Sequence, residues 1–186
     1  VLADERIFNK LALKRTMFNP YEKINLNEIV PSERDDFFRH SKLQGYVHDE
    51  GAAMLGGISG HAGLFSNSYE VAIVLQAMIQ KGKYDDFKLF SQDSFDQFNF
   101  CYFCDKENRS GVGFDKPQIE GRHGSTFGGV SSESFGHYGY TGSMAWADPD
   151  KNIIFIFLSN RTYPTRENTL LQTSNTRTRS QEIVYK

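Results

Sequence analysis

The stretch SFGHYGYTGSMAWADPDKNIIFIFL, residues 134–158, predicts a β-hairpin. Its middle, Asp148–Asn152, has the Asp, Pro and Asn content of a tight turn. The run that follows, Ile153–Leu158, is continuously β-branched and aromatic, which is typical of a central strand buried on both faces. We therefore expect an antiparallel pair with Ile153–Leu158 in the centre of its sheet.

The first half of this hairpin contains a histidine, His137, followed closely by two glycines, Gly139 and Gly142. Glycine weakens a strand unless a ligand or another backbone must come close. A serine hydrolase needs preorganised backbone N–H groups for its oxyanion. In that interpretation His137 is a polar group beside the substrate, Gly139 gives clearance, and the N–H of Tyr140 is a donor. The alternative is a glycine-kinked strand with an incidental histidine.

Size and composition restrict the class of protein. The chain has 186 residues, enough for one domain with a core, and 39% of them are apolar. A net charge of −2 argues against a nucleic-acid partner. No apolar run approaches the roughly 20 residues that cross a membrane. Because the chain opens VLADERIF, without Met and already helix-like, we expect it to be a piece of something longer.

A helix is predicted after Asn67, which forms a potential capping box with Glu70. Its apolar face is formed by Val71, Leu75 and Met78. The pair Lys81–Gly82 is typical of a helix end. Three further elements are expected: a short helix over Ser91–Phe98, a strand over Arg109–Pro117 and a C-terminal helix over Thr165–Lys186.

The two cysteines, Cys101 and Cys104, form a C-x-x-C pair. Such a pair can be a redox centre or half of a zinc site. Neither a second cysteine pair nor an H-x-x-x-H pattern is present, so we expect no metal. Two half-buried free thiols are the favoured interpretation, with a redox protein as the rival.

Three polar residues, His48, Asp49 and His61, flank a glycine-rich segment. Their spacing matches no compact metal-ligand pattern. We expect hydrogen bonds that fix this loop, at the margin of a site. No G-x-S-x-G elbow, S-x-x-K, P-loop or G-x-G-x-x-G motif is present, so the residues identify neither a nucleophile nor a cofactor.

Six ordered segments carry a family resemblance: LALKRTMFNP, GYVHDEGAAMLGGISGHAGLFSNSYEVA, RSGVGFDKP, SFGHYGYTGSMAWADP, FIFLSNRTYP and NTRTRSQEIVY. Together they resemble the C-terminal part of the serine β-lactamase and penicillin-binding-protein-like hydrolases. More narrowly, they are similar to the module found behind glycoside hydrolase family 3 domains in some bacterial proteins. The resemblance covers nearly the whole chain, and long ordered matches of this kind are specific.

The resemblance implies an α+β fold of the β-lactamase/transpeptidase-like type, an antiparallel sheet flanked by helices, of which this chain is the C-terminal portion. Residues 1–186 would form one partial domain. Within it, residues 1–108 would be mostly a helix and loop lobe, and residues 109–186 would hold the antiparallel strands and the C-terminal helix.

The resemblance also implies catalytic parts. The family's third motif, K-T-G or H-x-G, maps to His137, Tyr138 and Gly139, with the N–H of Tyr140 as an oxyanion donor. His137 and Tyr140 would be catalytic, and Tyr138 and Gly139 would bind substrate. The family's first motif, which contains the S-x-x-K serine, and its second motif, Tyr-x-Asn or Ser-x-Asn, would both lie upstream of Val1. The missing N-terminal half that carries them is the expected partner of this chain. Because it lacks the nucleophile, the isolated chain should be inactive.

The implied activity is that of an esterase or peptidase acting through an acyl-enzyme on a small-molecule or cell-wall-derived substrate, in the periplasm or cell envelope. Tyr138 departs from the family, which usually has Thr there. Either the bulk of Tyr138 would block the cleft, or its hydroxyl would replace the threonine hydroxyl from a more distant position. The first outcome favours the alternative function, a degenerate hydrolase that binds peptide or glycan without turnover.

Overall fold

The computed structural model describes residues 2–106, 108–118, 124 and 126–186. Its strands are β1 (Met17–Phe18), β2 (Glu33–Asp35), β3 (Ser41–Leu43), β4 (Leu64–Phe65), β5 (Lys83–Tyr84), β6 (Phe87–Lys88), β7 (Phe135–Tyr138), β8 (Met144–Asp148) and β9 (Ile153–Phe157). Its α-helices are α1 (Glu50–Met54), α2 (Ser68–Ile79), α3 (Gln92–Asn99), α4 (Leu170–Thr173) and α5 (Thr176–Tyr185). Short π- and 3₁₀-turns occupy Asp4–Phe8, Pro20–Glu22, Leu26–Glu28 and Cys104–Lys106.

The predicted hairpin is present and belongs to a three-stranded antiparallel sheet in the order β7-β8-β9. Its register pairs Tyr138 with Met144 and Asp148 with Ile153. The Asp148 carboxylate accepts a hydrogen bond from the Lys151 amide at 3.1 Å and so closes the turn. The register of these strands therefore follows from the turn residues and from the alternation of apolar side chains along β8.

Helices cover the two faces of this sheet. Along β8 the side chains alternate, so Ala147 packs with Leu75 of α2 in one cluster and Trp146 packs with Phe155 in another. On the second face, the Tyr185 hydroxyl of α5 donates to the Asp148 carboxylate at 3.0 Å. A sheet between helices confirms the α+β class.

Helix α2 begins and ends where the sequence predicts. The Asn67 side chain accepts a hydrogen bond from the Glu70 amide at 2.9 Å, and Lys81 and Gly82 both have positive φ after the last turn. Only half of the capping box forms, however. The buried Glu70 carboxylate instead accepts hydrogen bonds from the amides of Lys14 and Arg15, so it ties the N-terminal segment to α2.

Two predicted elements need correction. Residues Arg109–Pro117 do not form a strand, because Gly113 has φ +93° and the segment folds back on itself, leaving single-residue bridges only. The C-terminal helix is shorter than predicted, since Asn175 adopts a left-handed conformation between α4 and α5. Helix α3 is confirmed and is capped by Ser91. Among the described residues, no helix combines the length and apolarity needed to cross a bilayer.

The position predicted for Ile153–Leu158 is also wrong. Strand β9 lies at an outer edge of the described sheet, and β8 is the central strand. Its continuous apolar run reflects burial between α2 on one face and α5 on the other, which does not require a strand neighbour on both sides.

The prediction of two free thiols is wrong as well. Cys101 and Cys104 are joined in a disulfide. Their Cα atoms lie 5.5 Å apart, inside the range that a disulfide can bridge.

Candidate active site

The candidate site starts at the end of β7, where the chain turns into β8. The Gly139 amide donates to the Ser143 carbonyl at 2.8 Å, and the Gly142 amide donates to the Gly139 carbonyl at 2.9 Å. These bonds close a tight loop between His137 and Met144. The amide of Tyr140, at the tip, makes no hydrogen bond to any described residue, so it remains an available donor.

Glycine occupies positions 139 and 142 of this loop for different physical reasons. A Cβ on Gly142 would collide with Ser159 and Leu171, and its φ is +103°, so packing and conformation both require glycine. A Cβ on Gly139 would meet Ser143 at an ordinary 3.6 Å, and its φ is not positive. Nothing within the described chain requires a glycine at 139, which is the pattern left when space is kept for a ligand.

His137 is exposed on β7. Its ring Nδ1 lies 2.7 Å from the Tyr138 carbonyl oxygen. A carbonyl only accepts hydrogen bonds, so Nδ1 carries a proton and donates it to this bond, which does not use Nε2. The imidazole is therefore held in one orientation with its second nitrogen free for a neighbouring group.

Tyr138 lies beside His137 but packs with a different part of the molecule. Its ring packs against the cluster of Met144, Trp146 and Phe155, and the Arg177 guanidinium of α5 sits 4.4 Å from the ring centroid. This cation–π contact holds the large side chain toward α5. The large side chain of Tyr138 is thus accommodated by packing on the α5 side of the sheet.

Tyr140, at the tip of this loop, contacts two residues from other parts of the chain. Its ring is 62% exposed and lies between the Arg161 guanidinium, 4.7 Å from the centroid, and the His48 ring, 5.5 Å away. Arg161 also donates from Nε to the Tyr140 carbonyl at 3.0 Å. The backbone around the available amide is therefore held in place from both sides.

The glycine-rich segment is fixed by hydrogen bonds. Asp49 caps α1 by accepting from the Ala52 amide at 2.7 Å, and the same oxygen lies 2.9 Å from His61 Nε2. His61 Nδ1 in turn lies 2.7 Å from the Ser59 hydroxyl. The Ala52 amide and His61 together lower the pKa of Asp49, which keeps it ionised. The chain Ser59–His61–Asp49 holds the loop onto α1.

A buried ionic cluster lies beneath this loop. Arg166 binds both oxygens of Glu33, at 2.7 Å each, and reaches Glu50 at 2.8 Å. Burial alone would raise the pKa of Glu33, but the hydrogen bond and the positive charge of Arg166 lower it. Sequence reasoning missed all of this cluster except His48, because Glu33 and Arg166 are 133 positions apart and carry no local signal.

His48 joins this cluster to the site. Its Nε2 approaches Glu33 Oε2 at 2.9 Å but out of line for a hydrogen bond, so the buried nitrogen has no hydrogen-bond partner among the described residues. Burial lowers the pKa of His48 against the raising effect of the Glu33 carboxylate. The ring is therefore neutral around pH 7 and packs beside Tyr140.

One cleft of about 1270 Å³ brings the predicted residues together. Its lining includes every site residue named from the sequence: His48, Asp49, His61, His137, Tyr138, Gly139 and Tyr140. Among the described residues that line it there is no lysine, and no serine hydroxyl bonds to a histidine. The described residues also contain no group of three or more His, Cys, Asp or Glu side chains able to hold a metal ion. The cleft offers an amide donor and a polar wall.

Comparisons with known proteins agree with this architecture. The family model described as Beta-lactamase matches residues 1–176. A protein of Escherichia coli (strain K12) named "Putative D-alanyl-D-alanine carboxypeptidase" is 34% identical over 174 residues, covering 85% of this chain and 39% of its own length. A relative of the same name from Salmonella enteritidis PT4 is 34% identical over 170 residues, covering 83% of this chain and 38% of its own. The chain thus spans about two fifths of these relatives.

A solved structure shows the same fold. The crystal structure of a penicillin-binding protein homolog from Caulobacter crescentus superposes with a TM-score of 0.56 at 18% identity, covering 86% of this chain and 46% of that one. At this identity the likeness concerns the fold alone.

Proposed function

Because this chain belongs to the beta-lactamase family, we propose that it forms the substrate-side wall of a serine acyl-transfer site. The observation that carries the proposal is the available Tyr140 amide, next to Gly139, whose missing side chain no internal contact requires. An amide donor beside open space is what a developing oxyanion needs.

In the proposed reaction a serine Oγ attacks an ester or amide carbonyl, and the oxygen of that carbonyl takes the negative charge. The Tyr140 N–H donates to this oxygen. The bond to the alcohol or amine leaving group then breaks, and the leaving group takes up the proton that the serine hydroxyl has lost. Water hydrolyses the acyl-serine, which releases the carboxylic acid and regenerates the serine hydroxyl. In this proposal His137 contacts the bound substrate, near the carbonyl that is attacked, through its Nε2 atom. None of the serines in this sequence has Lys three positions later, so the proposed S-x-x-K nucleophile lies upstream.

The proposed substrate is a cell-wall-derived peptide, in the periplasm or cell envelope. This choice is supported by the relatives named carboxypeptidases. The charge of Arg166 is already balanced by Glu33 and Glu50, so we propose that it does not serve as the site for a substrate carboxylate. Recognition is then left to His137 and the loop amides, which suits a peptide carbonyl and a nearby polar end group.

The partner in this proposal is the upstream half of the domain. Strand β9 has an unpaired outer edge among the described residues, and neighbouring Leu158 is 48% exposed. An apolar edge strand readily accepts a further strand. We propose that an upstream strand pairs with β9 and that its lobe carries the nucleophile to the cleft.

The test is covalent labelling of the protein at its full natural length with a fluorophosphonate, followed by intact-mass and peptide mass spectrometry. The expected result is a single adduct on the serine of an upstream S-x-x-K, with no adduct on residues 1–186 alone. An adduct on a serine within residues 1–186 would contradict the proposal.

A folded full-length protein that takes no label would instead favour the degenerate binding module. In that case Tyr138→Thr is the next variant, because restoring the family's usual residue should then restore labelling if Tyr138 is the obstacle. Because Tyr138 packs against Arg177 of α5, we expect the unaltered full-length protein to be labelled without this substitution.

A further inference from the structure

A second pocket, of about 510 Å³, lies away from the cleft. It is enclosed by the C-terminal end of α3, residues 109–118 and the loop that enters β7. None of its lining residues also lines the cleft. It contains two cationic side chains, Arg109 and Lys116, that the proposed function does not use.

Lys116 is almost fully buried, at 6% exposure. Its Nζ donates to Asn99 Oδ1 at 3.0 Å and to the Glu133 carbonyl at 3.3 Å. Both acceptors are neutral, and an ammonium has three protons to donate. Among the described residues, no carboxylate lies within salt-bridge distance of Lys116. Burial lowers its pKa to about 8, so the ammonium still keeps its proton at neutral pH.

Arg109 adds a second charge next to the first. The Lys116 amide donates to the Arg109 carbonyl at 2.9 Å, which places the two residues side by side across the turn. The Arg109 Nε is buried and has no hydrogen-bond partner among the described residues. Burial also lowers the pKa of Arg109, the direction expected for a guanidinium that lacks a counter-ion.

Neither of the two acids at this pocket forms an ion pair with Arg109 or Lys116 among the described residues. Asp96 is engaged by Lys81 at 3.2 Å. Glu133 offers Lys116 its backbone carbonyl, and its exposed carboxylate partly offsets the effect of burial on the pKa of Lys116 without forming an ion pair among the described residues. A buried cation without an ion-pair partner is costly to desolvate, and a bound anion would offset that cost.

We propose that this pocket binds an organic monocarboxylate, with its carboxylate between Arg109 and Lys116 and its apolar part against Phe100 and Pro117. A guanidinium fork matches the two oxygens of a carboxylate, and the ammonium adds a point charge. The partly apolar wall distinguishes this ligand class from a free inorganic anion. The inference does not depend on the acyl-transfer proposal, because the two sites share no residue.

The test is a ¹⁹F NMR titration of 4-fluorobenzoate against the protein at its full natural length. We expect saturable binding of the acid and none of the neutral analogue 4-fluorobenzyl alcohol at the same concentrations. Arg109→Gln should weaken binding about tenfold or more, since one charge-assisted hydrogen bond is lost. Lys106→Gln is the matched control, because it removes the same charge from an exposed position outside the pocket lining and should leave binding unchanged.

Three results would overturn the proposal: no saturable binding of the acid, equal binding of the alcohol, or equal weakening by Arg109→Gln and Lys106→Gln. If Arg109→Gln does not fold, Arg109→Lys replaces it, and the acid-to-alcohol comparison on the unaltered protein still decides the question. Fluorophosphonate labelling of the upstream serine should be unaffected by 4-fluorobenzoate, so a failure here is separable from a failure at the cleft.

Discussion

At the residue scale, glycines in one short hairpin serve opposite purposes. Gly136 lies against the Trp146 ring and the Ala145 carbonyl, where any Cβ would collide. Gly139 has room for a Cβ. The first glycine therefore serves packing, and the second is free to serve the site.

This contrast gives a prediction for alanine substitution. Gly139→Ala should leave the free energy of unfolding within about 1 kcal/mol of the original. It should slow acylation by a fluorophosphonate about tenfold or more, because it intrudes where the acyl group lies. Gly136→Ala should do the reverse and destabilise by about 1–3 kcal/mol through overpacking. Urea unfolding and labelling rates measure both quantities, and an unchanged labelling rate in Gly139→Ala would argue against the cleft as the acyl site.

A second residue-scale prediction concerns the Glu33–Arg166 pair. Arg166→Met leaves the Glu33 carboxylate buried at 3% exposure without its main partner, so stability should fall by about 3 kcal/mol. The control is Arg15→Gln, whose ion pair with Glu28 is half exposed on both sides and should contribute about 0–1 kcal/mol. Chemical denaturation compares the two, and equal losses would show that the buried pair adds nothing beyond a surface pair.

At the scale of elements, α2 has two separate attachments at its first turn. Asn67 caps the helix itself, while Glu70 holds the amides of Lys14 and Arg15 and the hydroxyl of Thr16. Burial would raise the pKa of Glu70, but these hydrogen bonds lower it, so the carboxylate is ionised. One turn of helix thus organises two segments more than 50 positions apart.

These attachments should separate by mutation. Glu70→Ala should destabilise by about 2 kcal/mol, the loss expected for hydrogen bonds to a charged group, and should speed hydrogen exchange at Lys14 and Arg15. Asn67→Ala should cost about 1 kcal/mol and should speed exchange in the first turn of α2 instead. Native-state hydrogen exchange read by NMR distinguishes the two patterns. Identical patterns would mean that the N-terminal segment and α2 open as one unit.

At the scale of the whole molecule, buried carboxylates make stability depend on pH. Four of them have a lowered pKa despite burial, each held by hydrogen bonds: Glu33, Asp35, Glu70 and Asp148. A carboxyl group with a lower pKa in the folded state stabilises above its unfolded pKa, about 4, and loses that contribution as the pH falls further. His48 also reduces stability as the pH falls below about 6.5. Burial lowers its pKa in the folded protein, so the unfolded chain binds the proton first and is favoured.

We therefore expect the free energy of unfolding to decline slowly between pH 6.5 and 5 and steeply below about pH 4. Asp35→Asn should reduce the slope below pH 4, because Asp35 accepts three backbone hydrogen bonds and one from Arg39. Urea titrations across this range provide the measurement. A curve that is flat down to pH 3 would contradict the hydrogen-bonded, ionised state of these carboxylates.

Local signals in the sequence determined the start and end of α2, the cap of α3 and the hairpin with its turn at Asp148–Asn152. Caps, helical spacing and turn residues act over a few positions, so they can be interpreted without knowing the rest of the chain. For His48, Asp49 and His61 the sequence predicted hydrogen bonds that fix a loop at the margin of a site, and only the folded structure places them along the same cleft as His137. The narrower likeness to modules behind glycoside hydrolases stays a prediction.

Only the tertiary structure decided which distant residues meet. It placed β9 at an edge, since an apolar run shows burial on two faces and does not show sheet order. It also joined Glu33 to Arg166 and gathered Arg109, Lys116 and Asn99 around one pocket. Buried charges find their partners through the folded path of the chain, and the energy of such a pair depends on distance and burial, which no local stretch of sequence records.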